Sequence, residues 1–176
     1  MTNPTLAQAP AGLTIACPAC DAPTTLAPDQ EAQTARCGAC GGALFTGRPM
    51  TLTAARFDAH TAPGGLPLVI DFWAAWCGPC KSMAPVFEAL AAEFEPHVRF
   101  AKVDTDAERA LADYFRISSI PTLSFIHDHR EVARVAGAMF AGDMRRWLYD
   151  ALSRAQEAHA KDGAAPEPAG EDRETP

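Results

Sequence analysis

LPLVIDFWAAWCGPCKSMAPVFEALAAEFE, residues 66–95, is the stretch from which the rest of the chain can be read. It opens on LPLVIDFWA, a continuous apolar run of strand length that reads as a strand buried on both faces, the kind found in parallel sheets. After Cys77-Gly78-Pro79-Cys80 the pattern changes: Met83, Val86, Phe87, Leu90 and Phe94 recur at helical spacing, with Pro85 inside as an expected kink. A Cys-x-x-Cys pair thus stands where a strand turns into a helix. Thiol–disulfide exchange needs a reachable thiolate and a second thiol close enough to expel the first product. At a helix start Cys77 meets outward-pointing backbone N–H groups that stabilise negative charge, while Cys80 lies on the same face and deeper. Cys77 is therefore assigned as the attacking nucleophile and Cys80 as the resolving thiol. Gly78 and Pro79 carry no charge to stabilise the dithiol, which favours a low reduction potential and electron donation. The competing reading makes Cys77 and Cys80 metal ligands together with another pair, but six cysteines fill one four-ligand site and leave two over.

Outward from this stretch, ARFDAHTA (55–62) reads as a short helix carrying Phe57, and VRFAKVD (98–104) as the next strand. DAERALADYF (106–115) reads as a helix with Ala107, Leu111, Tyr114 and Phe115 inward. TLSFI (122–126) and EVARVA (131–136) alternate as two strands joined by HDHR, and DMRRWLYDALSRA (143–155) closes with a helix. The order βαβαββα, after a short leading segment, predicts an α/β fold over residues 50–152: a central mixed sheet flanked by helices, its last two strands antiparallel. Residues 153–176 have almost nothing to bury and are expected to form a disordered acidic tail, as residues 1–12 are expected to form a flexible N-terminus.

Residues 13–48 are a different unit. Their large apolar residues are Leu13, Ile15, Leu26, Leu44 and Phe45, too few to fold by burial alone. Cys17, Cys20, Cys37 and Cys40 form two Cys-x-x-Cys pairs with sixteen residues between them, inside the zinc-ribbon window of about fifteen to twenty. Gly38, Gly41 and Gly42 suit tight knuckles whose backbone N–H groups reach sulfur. Four thiolates make a closed tetrahedral site with no open position, so one Zn²⁺ per chain in a structural role is expected, with iron or paired disulfides as the alternatives. The five histidines are dispersed, and none is assigned to metal; His127 and His129 are expected at a solvated hairpin tip.

The net charge of −7 comes from 15 basic and 22 acidic residues, with the basic ones scattered. Phosphate backbones are bound through clustered Lys and Arg, so nucleic acid is not expected as a partner. The N-terminus shows neither a basic region nor an unbroken apolar core, and so does not read as a signal peptide. The longest apolar run contains Asp71 and is too short to span a bilayer. A cytoplasmic location without membrane contact follows as the expectation, and in that compartment Cys-x-x-Cys pairs serve metal binding or redox catalysis more than structural bridging.

At WCGPCK the sequence resembles the thioredoxin family, and the likeness spans residues 50–152: Asp71 six residues before Cys77, Pro85 in the following helix, Lys102 in the next strand, SIPT at 119–122 and AGA at 136–138. With the upstream cysteines it is similar to the zinc-ribbon-bearing bacterial class of thioredoxins. Two positions depart from the family pattern. The turn that many thioredoxins build from Asn-Gly is Asp128-His129 here, and Ser119 stands where a Gly often precedes the Ile of Ile-Pro-Thr.

The resemblance implies the same roles for Cys77 and Cys80. Asp71, read from its residues alone, is equally a carboxyl satisfied by Lys102 or the backbone and a buried proton acceptor; the resemblance favours transfer of the Cys80 proton, with Lys102 in the catalytic group. It further implies a substrate groove of Trp76, Gly78, Pro79, Ile120, Pro121, Gly137 and Ala138, with Pro121 cis. The implied activity is reduction of disulfides in client proteins, with electrons from thioredoxin reductase, because no dinucleotide-binding glycine motif occurs in the chain. A reducing role of this kind fits a monomer. The rival is a binding or scaffold module that uses the ribbon and carries a vestigial redox pair.

Overall fold

The computed structural model describes residues 12–27 and 31–162; most of the expected flexible N-terminus and the tail beyond Asp162 lie outside the described residues. In chain order the elements are β1 (Thr14–Ala16), β2 (Pro23–Thr25), a 3-10 turn (Ala32–Thr34), β3 (Met50–Thr51), α1 (Ala54–Thr61), β4 (Leu68–Trp73), α2 (Gly78–Phe94), β5 (Arg99–Asp104), α3 (Arg109–Tyr114), β6 (Thr122–His127), β7 (Arg130–Ala136) and α4 (Ala141–Asp162). β3 to β7 form one sheet in the order β3-β5-β4-β6-β7, and β1 and β2 form a separate hairpin.

β4 lies at the centre of the sheet. It runs parallel to β5, with Leu68 opposite Arg99 and Asp71 opposite Lys102, and antiparallel to β6, with Leu68 opposite Ile126 and Phe72 opposite Thr122. β6 and β7 pair antiparallel, as the alternating sequences predict. Side chains alternate across the sheet. Val69, Phe100, Leu123 and Phe125 enter a core with Phe87, Leu90 and Phe94 of α2 and Met144 and Leu148 of α4. Leu68, Ile70, Phe72, Ala101 and Val103 enter a second core with Leu111 and Phe115, against which Phe57 of α1 packs. Asp71 and Lys102 share the parity of Val69 and Phe100, so both belong to the α2/α4 face.

Two expectations change, at α3 and α4, and the β6–β7 tip, solvated as expected with His129 exposed, is in addition held in place. In the α3 region Leu111 and Phe115 are buried, but Ala107 is exposed and Tyr114 is 68% exposed. Leu111 and Phe115 are four residues apart and take the core face of a short helix, leaving Tyr114 at its side, edge-on to Phe57 and Phe115. The β6–β7 tip is anchored: Gly64 N–H donates to Asp128 Oδ1 at 2.8 Å and His129 N–H to Thr61 O at 3.0 Å. Asp128 and His129 adopt φ of 49° and 58°, the pair of left-handed conformations that a two-residue hairpin turn demands. Finally, α4 continues to Asp162 through the first residues of the segment expected to be disordered from 153, because Gln, Glu and Ala favour helix and Ala155 is buried against the core.

The N-terminal unit repeats one knuckle twice. Cys17 N–H donates to Ala22 O at 3.0 Å and Asp21 N–H to Cys17 O at 3.0 Å; Cys37 N–H donates to Gly42 O and Gly41 N–H to Cys37 O, both at 2.9 Å. Asp21 (φ 61°) and Gly41 (φ 73°) hold the same left-handed position in the two copies. Ile15, Leu26, Ala35 and Leu44 close over Leu66, which belongs to the segment leading into β4. The two units share polar contacts as well. Asp21 accepts from Arg56 at 2.7 Å and pairs with His60 Nε2 at 2.9 Å, and Arg99 Nη2 donates to Leu44 O at 2.8 Å.

Candidate functional site

The central strand ends at Trp73, and the chain turns through Cys77 N–H→Ala74 O at 3.1 Å to start α2. Cys77 is the N-cap, with extended backbone, and its Sγ accepts from Cys80 N–H at 3.2 Å. Pro79 lies in the first turn, where a missing N–H costs no helical bond. Cys77 and Cys80 are joined as a disulfide with Cα atoms 5.3 Å apart. Both are buried, at 4% and 2% exposure, whereas Gly78 and Pro79 are exposed. Trp76 is 70% exposed and donates Nε1–H to Asp106 Oδ2 at 2.9 Å. Asp106 was not singled out by the sequence, since nothing local marks a partner thirty residues away.

Asp71 is fully buried, and neither of its carboxylate oxygens has a hydrogen-bond partner among the described residues. Burial raises its pKa from 3.8 to about 6, with the Lys102 charge pulling the other way. Lys102 does not satisfy the carboxyl by a hydrogen bond; its Nζ sits 4.6 Å from the centre of the Trp73 ring. A buried carboxyl of this pKa exchanges protons near neutrality.

Two more segments frame the disulfide. The Ile120–Pro121 bond is cis, and the Ile120 carbonyl oxygen lies 3.9 Å from Cys77 Sγ. In the disulfide this sulfur has no proton, so the approach is a contact and not a hydrogen bond. Gly137 N–H donates to Pro121 O at 2.8 Å, which brings Gly137 and Ala138, both exposed, to the cis-proline segment. Gly137 has φ of 101°, a conformation open to glycine and strained for a residue with Cβ. The segments 76–80, 120–121 and 137–138 thus converge.

The family model "Thioredoxin" matches residues 48–150. The chain belongs to the thioredoxin family. Among its relatives, Thioredoxin C-3 of Corynebacterium nephridii is 39% identical over 142 residues, covering 81% of this chain and 97% of that protein. The bifunctional thioredoxin reductase/thioredoxin of Mycobacterium leprae is 37% identical over 106 residues, covering 60% of this chain and 23% of that protein. The crystal structure of Malassezia sympodialis thioredoxin (Mala s 13) matches with a TM-score of 0.52 at 31% identity, over 58% of this chain and 89% of that one. The architecture is the thioredoxin fold, the Cys77–Cys80 disulfide fits the redox motif of the family, and the protein is a protein-disulfide reductase.

In this thioredoxin the four remaining cysteines come together, and their sulfurs lie within 4.8 Å of one another. The Cys17–Cys40 and Cys20–Cys37 sulfurs are 3.7 Å apart, too far for disulfides. Zn–S bonds of about 2.3 Å at the tetrahedral angle space sulfurs by about 3.8 Å, so the donor set fits a metal of that size. Ala19, Ala39 and Gly42 donate N–H to Cys17, Cys37 and Cys40 sulfur, each at 3.4 Å. Thr24 Oγ1 adds a donor to Cys37 Sγ at 3.7 Å. Backbone N–H groups of Cys40 and Ala39 lower the Cys37 thiol from 9.0 to about 6, while the neighbouring sulfurs push Cys20, 3.7 Å away, up to about 12, so one sulfur of this close pair ionises readily and the other keeps its proton until a metal displaces it. No helix among the described residues is long and apolar enough to cross a membrane.

Proposed function

We propose that Cys77, reduced, attacks one sulfur of a client disulfide, forming a Cys77–client mixed disulfide and expelling the other client sulfur as a thiolate that takes up a proton. Cys80 then attacks Cys77 Sγ. The Cys77–Cys80 bond forms, the mixed disulfide breaks, and the client leaves fully reduced. The proton lost by Cys80 passes to Asp71, whose burial and pKa of about 6 suit it to accept and release one near neutrality. Lys102 steadies the ionised form of Asp71 through its charge. The observation that carries this reading is the Cys77–Cys80 disulfide at the N-terminus of α2, its Cys77 sulfur accepting an N–H from the first turn. The same N–H stabilises a Cys77 thiolate when the pair is reduced.

The client lies across Trp76, Gly78, Pro79, Ile120, Pro121, Gly137 and Ala138. Small residues at 137–138 let its backbone approach, and the exposed Trp76 flanks it. Electrons return from a thioredoxin reductase, a pairing supported by the Mycobacterium leprae relative, whose name joins both activities in one chain. The working form is a cytoplasmic monomer. Cys17, Cys20, Cys37 and Cys40 hold one structural zinc, which supplies folding energy to the N-terminal unit, where few apolar residues are available. Trapping tests the order of attack: Cys80→Ser accumulates mixed disulfides with clients, and Cys77→Ser abolishes both reduction and trapping. Equal trapping by both variants overturns the assignment.

A further inference from the structure

On the sheet face opposite α2 and α4, Tyr114 divides two recesses. One, of about 220 Å³, lies between α1 and α3 and is lined by Ala54, Phe57, Ala110 and Leu111, with Asp58 beside them. The other, of about 410 Å³, is lined by Phe115, Arg116, His129, Glu131 and Arg134. Tyr114 lines both and is 68% exposed. Its ring does not hang free, because Phe57 and Phe115 meet it edge-on with centroids 5.9 and 5.1 Å away. An exposed aromatic ring already held in place costs little ordering entropy when a partner covers it, and tyrosine is enriched among the residues that dominate binding energy.

The charges of the larger recess do not cancel. Arg134 and Glu131 neutralise each other through two bonds, of 2.7 and 3.1 Å. Arg116, presented by the turn that ends α3 with φ of 50°, has no side-chain partner among the described residues. His129 is fixed beside it. Thr61 Oγ1 has one hydrogen and gives it to Phe57 O at 2.9 Å, so the 2.9 Å bond between Thr61 and His129 is donated by His129 Nδ1–H. An unpaired guanidinium next to an apolar recess therefore stands out on a chain of net charge −7.

The geometry points to a docking site for an extended segment of a partner protein that carries a large apolar side chain close to a carboxylate. The apolar side chain enters the α1/α3 recess, the segment crosses Tyr114, and the carboxylate pairs with Arg116. Asp58 sets the direction, since it repels a carboxylate placed at the apolar end. Residues 163–176 of this chain supply four acidic residues but no leucine, isoleucine, valine, methionine or aromatic residue, and so lack the anchor. The site lies apart from the Cys77 groove and does not depend on the order of thiol attack there.

The test is a titration of the full-length oxidised protein with twelve-residue peptides, about 1 mM at most, in which one Leu or Phe precedes a Glu by one to four residues, read by ¹H–¹⁵N shifts. The expected result is binding that perturbs Phe57, Tyr114 and Arg116 amides, weakens at least about fivefold when Glu becomes Gln, and loses that preference in Arg116→Ala. Tyr114→Ala should lose affinity for both peptides, and Arg116→Ala should reduce protein disulfides at the wild-type rate. The proposal is overturned if no peptide binds, if Gln and Glu peptides bind alike, or if the shifts fall on Ile120 and Gly137. It is equally overturned if, without peptide, the same amides shift with protein concentration as a dimer forms, which would assign the face to a second copy of the chain.

Discussion

Replacing Asp71 with asparagine removes the one ionisable group buried in β4 without a hydrogen-bond partner. Its carboxyl titrates near 3.8 when the chain is unfolded and near 6 in the fold, where burial disfavours the charge more than Lys102 restores it. Between those two values the folded protein binds more protons than the unfolded one, so stability falls as pH rises through the interval. Below about pH 4 the carboxyl is neutral in both states and the penalty vanishes. Above about pH 6 the penalty is complete, and two pKa units at about 1.36 kcal/mol each make it about 3 kcal/mol. Asp71→Asn should therefore match the wild type near pH 3.5 and exceed it by about 3 kcal/mol at pH 8, roughly 10 °C in melting temperature. Urea unfolding of the oxidised protein at five pH values from 3.5 to 8, followed by circular dichroism, measures the difference curve. A difference that does not change with pH, or a variant less stable at pH 8, would refute the reasoning. In single-turnover kinetics the same variant should resolve its mixed disulfide more slowly, and unaltered resolution across pH would leave Asp71 without a part in proton transfer.

Arg99→Met should cost about 3–5 kcal/mol, because it leaves the buried Glu95 carboxylate, which pairs with Arg99 at 3.3 Å, with the Gly47 N–H but without its cation and also removes the donor to Leu44 O; Glu95→Gln in the same chain should recover the part of the loss due to the buried charge in a denaturation curve. Cys17→Ser or Cys37→Ser should lower the bound metal, measured by elemental analysis, while leaving disulfide reduction intact, since the catalytic cores do not use these sulfurs. Loss of the reductase fold in a chain beginning at Arg48 would contradict that independence. Phe87→Ala, at the centre of the α2/α4 core, should cost about 3–5 kcal/mol by the same unfolding assay, with the reduced rate constant changing far less than stability.

The residues of 66–95 specify their own structure because the information is local. Apolar runs and 3.6-residue periods decide strand and helix over a few residues, and the position of Cys77 before the first helical turn follows from them. The two Cys-x-x-Cys pairs at 17–40 are legible for the same reason: spacing along the chain already constrains four sulfurs. What spacing could not decide is which groups meet across the chain. The sequence marks Asp71 as a buried acid, yet only the β4–β5 register and the placement of Lys102 over Trp73 show that its oxygens lack a donor among the described residues. Asp21 lies four residues after Cys17 and looks like an ordinary turn residue. The tertiary structure makes it the acceptor for Arg56 and His60, 35 and 39 residues away. Tyr114 has helical spacing compatible with burial, and its exposure was decided by where Leu111 and Phe115 meet the sheet. Local preferences act over one or two turns of chain, whereas charge pairing, desolvation and exposure depend on the distances the completed fold sets between segments.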